Sequence, residues 1–416
     1  MSRRIPAAGI NLFQLIYVLI KEYTEKTGLP PLNLSLGNPD TVPAEAIRRL
    51  KARYAQDPGY DYHTYAEDKD LEDFAGAMVE LHTGVKVSEH PRLKAVPIAG
   101  IKTASALIPL ACGLHLPDRK RRDGFIVASN LPAYDVIGTW SSSYLGANRV
   151  VWPLLASEDM RLNIDRLKEA LENAGRPRAD LIFVIRPGNP AAVGADTADW
   201  KALIAYCLEH GTRLVNDAAY AGLAGGGHVS LAAVAKDHPE LEWLELYSVS
   251  KSFSDPGARL GALIGSKDFV DDYLTIKGNN DSGPVPSVMA AYGAFFKDRP
   301  AAAAALSSLR GLYRGRLGYL IPKMIEAGFS PACKTEAGFF TLWKAPREVL
   351  GIPVQDSEAL NRAVITETGI VGVHFQGRRA DGGPEPLIRY AVCTDVLASS
   401  FQKRFEEQLA RLRPRY

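Results

Sequence analysis

Lys251 stands in the run Ser248-Val249-Ser250-Lys251-Ser252-Phe253-Ser254-Asp255-Pro256-Gly257-Ala258-Arg259-Leu260-Gly261, directly behind an apolar stretch. A lysine amine attacks carbonyl carbon once it has lost its proton, and nearby positive charge or desolvation promotes that loss. Hydroxyls flank this lysine on both sides, and Arg259 follows within a Gly-x-Arg-x-Gly pattern. Two more polar groups stand out upstream. Asn189 lies in Gly188-Asn189-Pro190, and Asp217 lies in Val215-Asn216-Asp217-Ala218-Ala219-Tyr220. Taken singly, each has an ordinary explanation. An isolated lysine or arginine is usually solvated, Asn-Pro is a turn signal, and the glycine opening a helix at Ala99-Gly100-Ile101-Lys102-Thr103-Ala104 is a weak sign of anion binding.

What these residues share is their place relative to the elements around them. Thr103 to Leu116 reads as an apolar helix and Gly124 to Ala128 as a short buried strand. Leu181 to Ile185 is a second such strand, closed by Arg186-Pro187-Gly188-Asn189-Pro190. Trp200 to His210 reads as helix and Thr212 to Val215 as strand, and Glu242 to Val249 and Leu260 to Gly265 continue the pattern. Strands alternating with helices predict an α/β domain with a mainly parallel sheet covered on both faces. Functional groups in such sheets gather at strand ends and helix starts. Asn189, Asp217 and Lys251 all fall just after predicted strands.

From Pro300 the texture changes. Ala301 to Leu320 reads as a long helix, Gly338 to Trp343 as a strand, Ser357 to Thr368 as a helix, Ile388 to Val392 as a strand and Ser399 to Leu412 as a closing helix. This is an α+β pattern. We expect residues 41–299 to form a large domain and residues 1–40 plus 300–416 a smaller one.

Composition narrows the classes. The 416 residues exceed one simple core at roughly 100–200 residues per domain. A net charge of +2 without a basic stripe argues against nucleic acid as a partner. Cys112, Cys207, Cys333 and Cys393 are scattered without CxxC spacing, so no metal site is expected and a reducing, cytoplasmic setting fits. Arg3 and Arg4 precede an apolar stretch from Ile10 to Ile20, but Asn11, Gln14 and Tyr17 interrupt it and no small-residue cleavage site follows. Ile10, Phe13, Tyr17 and Ile20 share one helical face, so an amphipathic helix is expected there. No segment approaches the ~20 apolar residues of a membrane span.

The Lys251 segment resembles the lysine motif of class I/II aminotransferases, pyridoxal-phosphate enzymes of fold type I, and matching landmarks occur in order from Leu34 to Arg389. The resemblance implies a seven-stranded sheet in the large, cofactor-binding domain, and a Schiff base between Lys251 and pyridoxal 5'-phosphate. It implies that Asp217 faces the pyridine nitrogen, and that Tyr220 and Asn189 donate to the phenolic oxygen. Gly100, Ile101 and Lys102 would open the phosphate site, assisted by Ser248 and Arg259. The family often has a hydroxyl residue where this chain has Ile101, which shifts the work to backbone amides and Lys102. Directly after the Asn-Pro, the family usually has threonine and glycine; this chain has Ala191-Ala192-Val193-Gly194. Tyr134, in Leu131-Pro132-Ala133-Tyr134, occupies the place of an aromatic ring stacked on the cofactor. Tyr62, among Tyr60 and Tyr65, resembles a tyrosine that reaches the neighbouring subunit's phosphate, which implies a homodimer with shared active sites. Arg389, in Leu387-Ile388-Arg389-Tyr390, matches the arginine for the substrate α-carboxylate, whose bidentate geometry a guanidinium suits. Gly37 and Asn189 would approach the same group.

The activity implied is transfer of an amino group between an amino acid and a 2-oxo acid, with Lys251 as general base. The same scaffold serves C–S β-lyases, cyclising synthases and racemases, and a non-catalytic binding protein is a further alternative. No helix-turn-helix segment that would mark a transcription regulator is identifiable. The stretch Lys277-Gly278-Asn279-Asn280-Asp281-Ser282-Gly283 resembles that of LL-diaminopimelate aminotransferases and lacks an arginine for a second carboxylate. Arg378 and Arg379, in a loop rich in glycine and proline, could supply one or be solvated.

Overall fold

The computed structural model describes residues 12–67, 69–117, 124–134 and 139–416. Packing divides the chain into two units. One comprises Asn38–Leu312 with Lys334–Gly338, the other Met1–Gly37, Tyr313–Cys333 and Phe339–Tyr416.

The larger unit is built on seven strands: β1 (Leu93–Ile98), β2 (Ile126–Leu131), β3 (Asn148–Pro153), β4 (Leu181–Ile185), β5 (Arg213–Asp217), β6 (Trp243–Ser248) and β7 (Gly261–Ser266). Their order is β1-β7-β6-β5-β4-β2-β3, and only β7 runs antiparallel to its neighbours. This is the mainly parallel α/β sheet that the alternation predicts. Residues alternate between two cores. Ile182, Val184, Leu214 and Ile264 pack into one, with the helices Phe74–Thr83, Thr197–His210 and Pro286–Lys297. Leu181, Phe183, Ile185, Val215 and Leu263 pack into the other, with Ile101–Ala111 and Lys267–Lys277. Both faces being covered is why β4 reads as a continuous apolar run. Helix ends follow local chemistry. Asp196 accepts from the N–H groups of Ala198 and Asp199 to start Thr197–His210, and Gly211 ends it at φ +60°.

The smaller unit holds an antiparallel sheet ordered β9-β10-β8, from β8 (Phe340–Lys344), β9 (Val373–Arg378) and β10 (Pro384–Ala391), with helices Leu12–Thr27, Ser357–Thr368 and Ser399–Leu412. The first helix departs from expectation. It buries Ile16, Leu19 and Tyr23, whereas Phe13 and Tyr17 are 48% and 70% exposed. Apolar residues occur nearly all round this helix, so periodicity allows two faces. Packing of Ile16 and Leu19 with Ile365, Val371 and Val373 selects one of them. Ile10 lies outside the described residues. No helix among the described residues is long and apolar enough to cross a membrane.

Candidate active site

Parallel strands bring their carboxyl ends to one edge of a sheet, and here that edge collects most of the expected residues. Gly100 follows β1, Tyr134 follows β2, Asn189 follows β4, Asp217 is the last residue of β5 and Lys251 follows β6. Arg259 precedes β7. Because β7 alone is antiparallel, its beginning lies where the other strands finish.

Asn189 and Tyr220, both buried, meet at 3.4 Å between Nδ2 and Oη. The Tyr134 N–H donates to the Asn189 carbonyl at 2.7 Å, which ties the loops after β2 and β4, and the Tyr134 ring is 42% exposed. Asp217 is half-buried. One of its carboxylate oxygens accepts from the Ala219 N–H at 2.9 Å. Burial pushes its pKa up to about 6, against the opposing pull of that N–H and of the Lys251 charge. A cationic partner at the open side of this carboxyl would restore its ionisation.

Lys251 sits in the short helix Val249–Ser252, capped by Ser248, whose hydroxyl accepts from the Ser250 N–H at 3.1 Å. The following loop is tied down: Asp255 accepts from Lys51 at 2.8 Å and from the Tyr292 hydroxyl at 2.9 Å, and Thr41 and Ser254 share a 2.7 Å hydrogen bond. That loop delivers Arg259, at φ +48°, to Gly100. Gly100 starts the helix Ile101–Ala111 at φ +94°, and a Cβ built on it would lie 2.8 Å from Arg259 Nη2. Glycine thus lets a guanidinium and a helix N-terminus face one another closely, a cradle for an anion. Ile101 puts its side chain in the core and offers only its backbone N–H, while Lys102 is exposed.

In the smaller unit, the Arg389 side chain is buried, donates from Nη2 to the Ser35 carbonyl at 2.7 Å, and lies 4.2 Å over the Phe340 ring. A Cβ on Gly37 would come within 3.0 Å of that same Phe340 ring. Arg378 and Arg379 donate to carbonyls of their own hairpin loop, at Gly382 and Pro384. Tyr62 turns its ring onto Tyr54, with centroids 4.9 Å apart, whereas Tyr60 and Tyr65 are 78% and 72% exposed.

Sequence reasoning missed the support behind Lys251. The His82 Nε2 lies 3.1 Å from the Ser252 hydroxyl, and its Nδ1 lies 2.9 Å from the Met78 carbonyl. Burial pushes His82 down to about 4, so the ring is neutral, donates from Nδ1 and accepts from Ser252. Gly222, in the loop that carries Tyr220, has no room for a Cβ beside Ser252, and Arg310 donates to its carbonyl. Deeper, Glu245 accepts from Asn216 Nδ2 at 2.8 Å and from the N–H groups of Leu231 and Ala232, and Asn216 exchanges hydrogen bonds with the Arg186 backbone. A charged residue inside an apolar strand was the one sequence signal for this network.

The donor set fits pyridoxal phosphate: a carboxyl in want of a cation, two donors converging at one point, an amine, and an anion cradle that a Cβ would fill.

Comparison with known proteins points the same way. The family described as "Aminotransferase class I and II" matches residues 30–396. The LL-diaminopimelate aminotransferase of Syntrophobacter fumaroxidans is 27% identical over 415 residues, covering 99% of this chain and 98% of that protein. The aspartate aminotransferase of Bacillus subtilis is 30% identical over 246 residues, 58% of this chain and 61% of that protein. The solved structure of Thermus thermophilus aspartate aminotransferase with maleate shares the fold with a TM-score of 0.77, covering 99% of both chains at 20% identity.

Proposed function

This chain belongs to the class I and II aminotransferases, and from its site we infer that Lys251 holds pyridoxal phosphate and moves the proton in amino-group transfer between an amino acid and a 2-oxo acid. One observation carries the reading. Lys251, Asp217, the Asn189–Tyr220 pair and the Gly100–Arg259 cradle stand together at one edge of one sheet.

When bound, pyridoxal phosphate supplies the electron sink that makes the α-proton of an amino acid labile. The chain's own residues do the rest. Lys251 Nζ takes that proton and returns it as general base and acid. Asp217 would face the ring nitrogen as an anion and hold a proton there, each charge favouring the other. Asn189 and Tyr220 would donate to the phenolic oxygen and orient the group. The N–H groups at the start of Ile101–Ala111 and Arg259 bind the phosphate, with Ser248 and Lys102 beside them. Tyr134 would cover the ring. Arg389 grips the substrate α-carboxylate with a guanidinium whose orientation Ser35 and Phe340 fix.

On this reading the unit of Asn38–Leu312 with Lys334–Gly338, wider than the expected 41–299, is the cofactor-binding domain, and the chain works as a homodimer. Tyr60 and Tyr65 are better suited than Tyr62 to reach a second subunit, because they are the two left exposed. The relatives' names and the Lys277–Gly283 stretch support LL-diaminopimelate as the first donor to test. Arg378 and Arg379 are spent on their own hairpin and are not proposed as a second carboxylate site. All four cysteines are buried and outside any disulfide, which suits a reducing compartment such as the cytoplasm.

The test is a panel of donors, including LL-diaminopimelate and aspartate, against 2-oxoglutarate and pyruvate. We expect cofactor absorbance in the purified protein, acceptor-dependent oxo-acid formation, and loss of both covalent cofactor and turnover in Lys251→Ala. Oxo acid formed with ammonia in the absence of any acceptor would overturn transamination in favour of a lyase.

A further inference from the structure

The edge of the sheet opposite Lys251 carries a second concave site. A cavity of about 250 Å³ opens where β1 and β6 begin and β7 ends, at Leu93, Trp243 and Ser266. Two His-Pro turns flank it, His90-Pro91 and His238-Pro239. Its polar lining is almost entirely cationic or imidazole: His90, Arg92, Lys236 and His238, with no carboxylate among the lining residues. Its floor is apolar, and the apolar surface left open there comes from Pro91, Leu93 and Pro239, since Leu241 and Trp243 are buried.

Charge makes this more than a surface dent. The side chains of His90, Arg92 and His238 have no hydrogen-bond or ion-pair partner among the described residues. The acid next to them, Asp237, is occupied by Lys236 at 2.8 Å. Lys236 above all, then His90 and His238, hold its carboxyl below the usual range. His90, Arg92 and His238 therefore line one concave site together with Lys236, and the neighbouring acid is taken up by Lys236. Such an arrangement attracts an anion, and the walls sharpen the field. The floor adds a separate preference, since an apolar ring laid against Pro91, Leu93 and Pro239 removes its own surface and theirs from water.

We propose that this cavity is a second ligand site, distinct from the cofactor cleft, for a small organic anion: a phosphate or carboxylate attached to a flat apolar body. Its location gives it a route to the active site. β1, β7 and β6 are adjacent in the sheet, and at their other ends they carry Gly100, Arg259 and Lys251. A six-residue strand such as β6 spans roughly 17–20 Å at about 3.3 Å per residue. A ligand here is thus linked to the phosphate cradle and the lysine by three rigid strands.

The experiment is calorimetric titration of the cofactor-saturated protein with phenyl phosphate, benzoate and inorganic phosphate. We expect saturable binding of phenyl phosphate and benzoate, with inorganic phosphate weaker by about tenfold or more, since tenfold corresponds to only 1.4 kcal/mol. The double substitution Arg92→Ala, His238→Ala should weaken phenyl phosphate binding at least about tenfold while leaving turnover unchanged, because neither residue belongs to the catalytic machinery. Arg389→Ala should leave phenyl phosphate binding intact, which separates this cavity from the substrate site. The proposal is overturned if neither organic anion binds, if the double variant binds them as tightly as the parent, or if Arg389→Ala abolishes binding. Equal affinity for inorganic and phenyl phosphate would overturn the role of the apolar floor.

Discussion

Asp217 should cost the cofactor-free protein stability, and Asp217→Asn should return it. Burial raises the Asp217 pKa from 3.8 to about 6, and among the described residues one backbone N–H and the Lys251 charge oppose it. Each tenfold gain in proton affinity is worth about 1.4 kcal/mol, so this rise sets a ceiling of about 3 kcal/mol. Asp217 is only half-buried, and water at its open side screens the effect, leaving on the order of 1–2 kcal/mol.

A carboxyl whose folded-state pKa is raised binds its proton more tightly folded than unfolded. Its contribution is therefore fully present below the unfolded value of 3.8, and is lost as pH rises through about 6. Above that the folded protein carries a poorly compensated anion. An amide there has nothing to ionise. We expect cofactor-free Asp217→Asn to be more stable than the parent by about 1–2 kcal/mol at about pH 8, and the gain to shrink at about pH 5. With cofactor bound the order should reverse, because on the proposed reading the anion would face a cationic ring nitrogen. Urea unfolding of both proteins at the two pH values, with and without cofactor, is the assay. A gain that is the same at both pH values, or absent at the higher one, would refute the electrostatic account of this carboxyl.

Three further outcomes follow from the same geometry. Gly100→Ala combines strain at φ +94° with a Cβ 2.8 Å from Arg259 Nη2. Cofactor affinity should fall by about tenfold to a hundredfold while turnover at saturating cofactor is largely kept. Gly84→Ala, at φ +73° with nothing within 4 Å, should cost stability alone, which cofactor titration of both variants will show. Arg389→Lys keeps the charge but loses the bidentate fork and the seat over Phe340, so KM for every amino donor should rise by about tenfold to a hundredfold at saturating cofactor. His82→Leu removes the acceptor of the Ser252 hydroxyl and should destabilise the protein by about 1 kcal/mol, whereas His82→Gln, which can accept, should recover part of that. Because the folded-state pKa of His82 is lowered from 6.5 to about 4, its stability contribution is present above 6.5 and declines as pH falls towards 4; unfolding midpoints of His82→Leu should lack that slope.

What the sequence made legible, and what it hid, divides along the range of the forces involved. The parallel sheet could be read because each strand announces itself within five or six residues, and burial on both faces makes those residues continuously apolar. Strand ends follow from the same signal, which is why Asn189 and Lys251 are legible as residues just beyond strand ends. Asp217 closes β5 instead of following it, an offset of the size by which strand boundaries usually move. The direction of β7 left no such trace. Alternation alone does not say that Gly261–Ser266 runs against its neighbours, yet that reversal brings Arg259 to Gly100. The N-terminal helix shows the opposite failure: its local signal was strong but ambiguous, and contacts with residues more than three hundred positions away chose the buried face.

His82 marks the limit most sharply. It meets Ser252 across 170 positions, and nothing in its helix separates a histidine that supports the lysine from one that is solvated. Its part depends on being neutral, and neutrality here comes from burial, a property of the assembled fold. The groups proposed to meet a cofactor are thus recognisable by type and spacing. The groups that hold them in place, such as His82, Gly222 and Glu245, belong to chemistry that exists only after the chain has folded.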